Sequence, residues 1–226
     1  AYLAEYMQDF SRSKIQAEIK KGSVLVNSKN VKPSYSVKEG DEIVFEIPET
    51  TIKIEPENIP LDIVWEDENM LVVNKPSGML THPTTLETTG TLVNALLYKY
   101  GENLSDVNGE FRRGILHRLD RNTSGMLMIA KNNKTHEYLV EKMKQGEMTK
   151  KYLTVVKGVI EEDEFIIDKP IGRNPNQPHK MAIIENGKES ISKVKVLERF
   201  KDATLLEVHL ITGRTHQIRV HLSSIG

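Results

Sequence analysis

Cysteine is absent from the 226 residues. That excludes disulfides and thiolate metal sites and fits a reducing compartment, so a cytoplasmic location is expected. Nowhere do about 18 apolar residues run together, so no segment reads as a membrane-spanning helix. The N-terminus, Ala1-Tyr2-Leu3-Ala4-Glu5, has neither the charged region nor the apolar stretch of a signal peptide. It also lacks an initiating Met. The glycines form no phosphate-binding loop or dinucleotide fingerprint. The seven histidines lack zinc-site spacing, since His216 and His221 stand five apart rather than four. No Gly-x-Ser-x-Gly elbow occurs, and no base is placed to activate Ser124. No metal and no nucleotide cofactor are therefore expected. There is also no basic excess: the formal net charge is −1, whereas a protein that grips a polyanion usually carries surplus Lys and Arg.

What is present is a segregated charge pattern. Residues 12–38 hold seven Lys/Arg against one Glu, residues 39–69 eleven acids against one Lys, and residues 112–151 ten Lys/Arg against four acids. Two basic stretches separated by an acidic one can orient a polyanion, although solvated surface gives the same pattern. With 38% hydrophobic and 28% charged residues, the chain reads as soluble and globular, long enough for one sizeable core and a small appended module.

The first fifty residues read as that module. Ser11 or Ser13 can cap a helix through Lys14–Lys21, with Ile15 and Ile19 on one face and Gly22 just past its end. A short strand, Val24-Leu25-Val26, and a polar turn at Asn27–Asn30 follow. A second strand alternates Ile43, Phe45 and Ile47 with polar residues. Pro48, Pro56 and Pro60 break up the acidic stretch after it, which reads as a linker. Ser11-Arg12-Ser13, Lys20-Lys21-Gly22-Ser23-Val24-Leu25-Val26-Asn27 and Lys38-Glu39-Gly40-Asp41 together resemble the S4 RNA-binding domain. The resemblance covers about 45 residues and implies RNA-phosphate contacts from Arg12, Lys14, Lys20 and Lys21. The expected organisation is residues 1–48 as this module, 49–60 as linker and 61–226 as a second domain.

That second domain reads as mixed α/β and strand-rich. A hairpin is expected at Ile63–Trp65 and Leu71–Val73, and a helix at Leu92–Tyr100, ended by Gly101. A strand at Met126–Ala130 and a helix at Lys134–Lys144 follow. Strands come next at Lys151–Val156, Ser192–Glu198 and Thr204–Ile211, and the last helix starts near Thr215.

Three segments carry chemistry. In Gly114-Ile115-Leu116-His117-Arg118-Leu119-Asp120-Arg121-Asn122-Thr123-Ser124-Gly125, Asp120 lies on a loop between two apolar stretches read as strands. Such a loop holds a carboxylate rigidly, although turn residues are often Asp for no catalytic reason. Arg113, Arg118 and Arg121 surround it in sequence, and cations favour its ionised form. Tyr152 lies in a strand, facing away from Lys151 and Leu153, where its ring can stack on an extruded base or simply pack in the core. In Thr212-Gly213-Arg214-Thr215-His216-Gln217-Ile218-Arg219-Val220-His221-Leu222, Gly213 is expected to make a tight turn. Arg214 and Arg219 can each bind phosphate, and either can pair with Asp120.

These segments, with Asn74-Lys75-Pro76-Ser77-Gly78, Lys169-Pro170-Ile171-Gly172-Arg173 and Leu197-Glu198-Arg199-Phe200, resemble the RluA/RluD-type pseudouridine synthases over about residues 60–226. Asn122 stands where many members carry aspartate. The resemblance implies an α+β fold with a mixed, mostly antiparallel central sheet flanked by helices and loops. It implies an RNA isomerase in which Asp120 is the essential carboxylate and Tyr152 packs on the target base. Arg219 pairs with the aspartate, with Arg214 as second choice. Arg118 helps extrude the uridine and fills its place, while His117 and Leu119 support the loop. A monomer acting on large-subunit ribosomal RNA is expected, with transfer RNA or a non-catalytic S4-type RNA-binding protein as alternatives. Because the sequence stops at Ser223-Ser224-Ile225-Gly226, the catalytic domain is expected to be incomplete at its C-terminus.

Overall fold

In helix α1 (Arg12–Lys21), Ser13 is already helical and so is not the cap. Ser11, the other candidate, lies outside the residues that this computed structural model describes. Those are 2–3, 12–45 and 53–226, without the side chains of Arg12, Ser13, Lys14 and Ala17. Ile47 and Pro48 lie outside them too. Gly22 ends the helix at φ 87°, donating its N–H to the Ile19 carbonyl. Ile15 packs inside with Val24 and Val26 of β1 (Val24–Val26). β1 pairs antiparallel with both β2 (Lys29–Asn30) and β3 (Ile43–Phe45). Asn27 and Ser28, both at positive φ, make the two-residue turn that such a hairpin favours. The Asp41 carboxylate accepts from the Lys38 N–H, from Asn27 Nδ2 and from Tyr35 Oη. These bonds hold its pKa below the usual carboxylate value.

The chain divides into two units, residues 1–53 and 54–226. In the second, residues 54–60 do not hang free. Ile54 is buried, the Glu57 N–H donates to the Asn94 carbonyl, and Asn94 Nδ2 donates to the Glu55 carbonyl. Asn94 belongs to α2 (Leu92–Tyr100), whose start is fixed by a reciprocal capping box with Thr91 and whose end is Gly101. Leu92, Val93, Ala95 and Leu96 of α2 are buried.

Every strand pairing among the described residues is antiparallel. The central sheet implied by the resemblance is present as two sheets and a hairpin. One sheet runs β4-β5-β6 (Ile63–Glu66, Met70–Lys75, Gly125–Ala130). The other runs β7-β12-β11-β8 (Lys151–Lys157, Ala203–Leu210, Ile191–Arg199, Glu164–Asp168). β9 (Ile171–Arg173) and β10 (Met181–Ile183) form the separate hairpin. β12 alternates buried and half-buried residues along its whole length, as a strand covered on one face should. Its Leu206, Val208 and Leu210 join Ile167 and Val194 in a core onto which Ile218 and Leu222 of α4 (Gln217–Ser223) pack. Each such side chain contributes about 1.5–3 kcal/mol on full burial. α3 (Asn133–Lys144) follows β6, with Asn132 as its cap. No helix among the described residues is long and apolar enough to cross a membrane.

One expected strand is missing. The chain before the Asp120 loop is a single 3₁₀ turn, Glu110–Arg112, followed by an isolated bridge between Ile115 and Ile129. Gly114 explains the tight entry. It sits at φ 73°, and a Cβ there would lie 2.7 Å from Ile129 Cγ2 and 3.1 Å from the Ala130 carbonyl oxygen.

Candidate active site

The loop bearing Asp120 is held from below by residues 75–81. Lys75, the last residue of β5, is fully buried and donates to the carbonyls of Pro76 (2.8 Å), Met79 (2.7 Å) and Arg121 (3.2 Å). Three acceptors on one nitrogen require the ammonium form. Burial pushes the Lys75 pKa down, and the Asp120 charge pulls part of it back up. Thr81 Oγ1 both donates to the Leu119 carbonyl and accepts from the Leu119 N–H. The Gly78 N–H and Ser77 Oγ reach the carbonyls of Arg121 and Asn122. Leu119 is buried, which anchors the residue beside Asp120.

From the other side, His117 Nε2 accepts the Met128 N–H of β6 at 3.2 Å. Burial, helped by the Lys150 charge, lowers the His117 pKa to about 4 from 6.5. The folded protein therefore keeps this ring neutral while the unfolded chain protonates it below about pH 6.5. Its contribution to stability is complete above that pH and is lost on acidification towards pH 4, at up to about 1.4 kcal/mol per pH unit for the one proton. Denaturation midpoints across that window should fall less steeply in His117→Gln, which keeps an acceptor but cannot titrate. An unchanged slope would remove His117 from the acid response.

Asp120 opens into a cavity of about 360 Å³ whose lining includes Arg118, Asp120, Tyr152, Arg214, His216 and Arg219. Arg219 Nε lies 3.8 Å and His216 Nε2 3.9 Å from Asp120 Oδ2. Of the cations expected around Asp120 from its own segment, Arg118 shares the cavity and the other two do not. Arg121 pairs with Glu87, and Arg113 does not line the cavity. The basic groups within 4 Å of the Asp120 carboxylate are His216, just before α4, and Arg219, within it. Between the two late arginines, the geometry pairs Arg219 with Asp120, because Arg214 Nε donates to the Glu189 carbonyl at 3.0 Å. Tyr152, half-buried in β7, has its phenol pKa raised by burial and by the Asp120 charge, which keeps it neutral. Arg118 is exposed where it lines the cavity.

The approach to α4 differs from expectation. Gly213 does not use a positive φ; the left-handed residue is His216, at φ 57°, and the helix starts at Gln217. Buried Gln217 fixes this corner. Its Oε1 accepts from Thr212 Oγ1 and the Arg214 N–H, and its Nε2 donates to the Ile191 carbonyl and Ser192 Oγ. One turn on, His221 Nε2 meets the Lys169 carbonyl at 3.0 Å, so that nitrogen carries the proton and Nδ1 accepts from Ser192 Oγ.

Sequence reasoning missed Lys75, Gln217 and His216 as parts of this site. Lys75 was detectable as the charged third member of the alternation Leu71, Val73, Lys75. Gln217 and His221 stand four apart on one helical face. In the first unit Lys20 is exposed, whereas Lys21 is tied to Glu18 at 2.7 Å. The side chains of Arg12 and Lys14 are outside the described residues. No group of three or more His, Cys, Asp or Glu among the described residues is arranged to hold a metal ion.

An antiparallel α+β scaffold that presents an aspartate, a tyrosine and an arginine to one cavity defines a class, and comparison with known proteins names it. Residues 69–224 match the RNA pseudouridylate synthase family and residues 1–43 match the S4 domain. The chain belongs to the RNA pseudouridylate synthase family: it is a pseudouridine synthase, an isomerase, carrying an N-terminal S4 domain. It is 45% identical over 226 residues to the protein named "Uncharacterized RNA pseudouridine synthase YlyB" of Bacillus subtilis, spanning 100% of this chain and 74% of that one. It is 40% identical to the ribosomal large subunit pseudouridine synthase D of Escherichia coli O6:H1, over 99% of this chain and 68% of the relative. The solved structure of human RNA Pseudouridylate Synthase Domain Containing 1 superimposes with a TM-score of 0.60 at 31% identity, covering 74% of this chain and 66% of that one.

Proposed function

We propose that this chain converts uridine to pseudouridine in large-subunit ribosomal RNA, with Asp120 as the catalytic carboxylate. The observation that carries this reading is a carboxylate that opens into a cavity of about 360 Å³, on a loop whose backbone Lys75 and Thr81 hold, with Arg219 3.8 Å away. Isomerisation breaks the bond between uracil N1 and ribose C1′ and joins C5 to the same carbon. Positive character develops on the sugar, and a fixed carboxylate beside it stabilises or traps that charge. The uridine must first leave its stack. Tyr152 supplies a flat neutral wall for the base, and exposed Arg118 is suited to fill the vacated space. Arg219 orients Asp120, and Arg214 is left to meet phosphate. Arg12, Lys14, Lys20 and Lys21 of the S4 domain are proposed to contact the RNA backbone. A cytoplasmic monomer is the proposed active form.

The choice of large-subunit RNA rests on relatives whose names specify it. The test is to incubate unmodified large-subunit ribosomal RNA and, separately, a transfer RNA pool with the protein, then map carbodiimide-dependent stops by primer extension. Discrete new stops are expected in the ribosomal RNA. Stops confined to transfer RNA would overturn the target, and none in either would overturn the activity.

A further inference from the structure

Arg214 and His216 form a wall shared by the catalytic cavity and a second one, of about 560 Å³, that the chemistry at Asp120 does not use. The second cavity lies between the β9–β10 hairpin and the turn after it, residues 184–188. Two glycines let that turn close over β9. A Cβ at Gly187 would stand 2.7–2.9 Å from backbone atoms of Ile171, and one at Gly172 would overlap the Ile184 side chain. With neither present, Ile171 and Lys188 exchange backbone hydrogen bonds at 2.8 and 2.9 Å. Directly paired residues share a face of a sheet, and so do residues two apart on one strand. Lys188 and Arg173 therefore stand on one face of β9, together with Ile171 and Met181.

The charge of this cavity is one-sided. The protein carries 31 Lys and Arg against 32 Asp and Glu, so its average surface mixes both signs. Here Arg173, Lys188 and Arg214 line the cavity with the rings of His179 and His216, and none of the described residues around it is Asp or Glu. Glu185 and Glu189, the acids nearest in sequence, are not in the lining. None of the three cations is in an ion pair among the described residues. The two arginines are also tethered. Arg173 Nη1 donates to the Pro178 carbonyl at 2.9 Å and Arg214 Nε to the Glu189 carbonyl at 3.0 Å. Each bond uses one of the five guanidinium N–H donors and leaves the others for a ligand. Three like charges in one concavity repel one another, and an anion among them turns that repulsion into attraction.

Continuity with the catalytic cavity selects the anion. Drawing one uridine out of its stack requires that the strand beside it be held. The anion next to any base in a strand is a phosphodiester, whose two free oxygens match the paired N–H groups of an arginine. Because Arg214 and His216 belong to both cavities, a uridine at Asp120 leads its own backbone past this wall. We infer that Arg173, Lys188 and Arg214 hold backbone phosphates of the nucleotides flanking the target uridine. The inference rests on the pseudouridine synthase reading above. Such contacts read no base. They set the register of the strand, and so which nucleotide reaches Asp120.

The test uses the double variant Arg173→Gln, Lys188→Gln, which removes two exposed cations that line the second cavity and not the catalytic one. Its binding to a ribosomal RNA fragment spanning a mapped modification site should weaken roughly tenfold or more. The slope of log affinity against log salt should fall by about 1 for each cation removed. Lys157→Gln with Lys201→Gln removes two exposed cations elsewhere and should bind as wild type does. Arg173→Lys with Lys188→Arg keeps both charges and should retain most of the affinity. Neutral methylphosphonates, placed singly at the phosphates flanking the target uridine, then locate the contact. At one or two positions they should weaken wild type and leave the first double variant unaffected, because its contact is already gone. Wild-type affinity and slope in that variant would overturn the inference. So would an equal loss in the Lys157 and Lys201 variant, or methylphosphonates that cost both proteins the same at every position. Weakened binding of inorganic phosphate with RNA binding unchanged would also overturn it, by making the cavity a free-anion site. A wild type that binds RNA without forming pseudouridine would instead overturn the reading on which the inference rests.

Discussion

Replacing Asp120 by Asn is expected to lower pseudouridine formation by at least about 10⁴-fold, the scale on which enzymes lose rate when a group at the reacting atom is removed. Three features of the site make this a sharp test. The substitution is isosteric, and the Asp120 side chain contributes an Arg219 contact at 3.8 Å and a His216 contact at 3.9 Å rather than hydrogen bonds that hold the loop. The loop is kept by the backbone contacts of Leu119 and Arg121, which Asn leaves in place. Stability should fall by no more than about 1 kcal/mol, since the position is partly exposed and its charge offsets only part of the cost of burying the Lys75 ammonium. RNA affinity should stay equal or rise slightly, because a negative charge leaves a surface that meets phosphates. The electrostatic consequence is readable without substrate. Part of the upward shift of the Tyr152 phenol comes from Asp120, so its titration should move down in the variant while burial keeps it above the ordinary value. Activity within tenfold of wild type, measured on the same ribosomal RNA, would remove Asp120 from the chemistry.

What the sequence discloses about this protein follows the range over which each interaction acts. α2 is legible to the residue because its signals are local: Thr91 caps it, Gly101 stops it, and the apolar spacing lies between. The long strands β11 and β12 are legible within a residue or two for the same reason, since their alternation runs over eight residues or more. β9 and β10 were missed. Each is three residues long, too short for a period to register, and they depend on pairing across a loop that contains Pro175 and Pro178. The apolar pair Ile115-Leu116 misled in the opposite direction. It has strand composition, but Gly114 turns the chain so that one bridge forms and no strand.

The site divides along the same line. Asp120, Tyr152 and Arg219 stand out as residue types in distinct segments, and the fold brings them to one cavity. Which cations face the carboxylate is a tertiary fact. Three arginines adjacent in sequence suggested a local cluster, yet the contacts are made by two residues nearly a hundred positions later. The left-handed turn fell on His216 rather than Gly213 because the hydrogen bonds of Gln217 fix the corner. A glycine is merely permitted to turn there.

Lys75→Met should produce the largest loss of stability of any single change near the site, and a loss of rate with it. The Lys75 ammonium satisfies the carbonyls of Pro76, Met79 and Arg121 from a fully buried position. Methionine fills a similar volume and donates nothing. The Arg121 carbonyl keeps the Gly78 N–H at 2.8 Å, so two carbonyls lose their donor. Each unsatisfied buried acceptor costs roughly 1–3 kcal/mol, which sets the gross penalty at roughly 2–6 kcal/mol. Against it stands the relief of no longer burying a cation, the same desolvation that lowers the lysine pKa. The balance should remain destabilising by about 2–4 kcal/mol, because the acceptors stay behind when the donor is removed. For a chain of this size that lowers the thermal midpoint by roughly 2–4 °C per kcal/mol. The catalytic effect follows from the loop. The Arg121 carbonyl belongs to the residue after Asp120, and loosening it by a fraction of an ångström spoils the alignment of the carboxylate. A misplacement of about 1 Å can cost about 10²-fold in rate. The fall should appear in kcat with KM nearly unchanged, since Lys75 is buried and touches no RNA. A variant with wild-type midpoint and wild-type kcat would show that the 75–81 segment does not hold the catalytic loop.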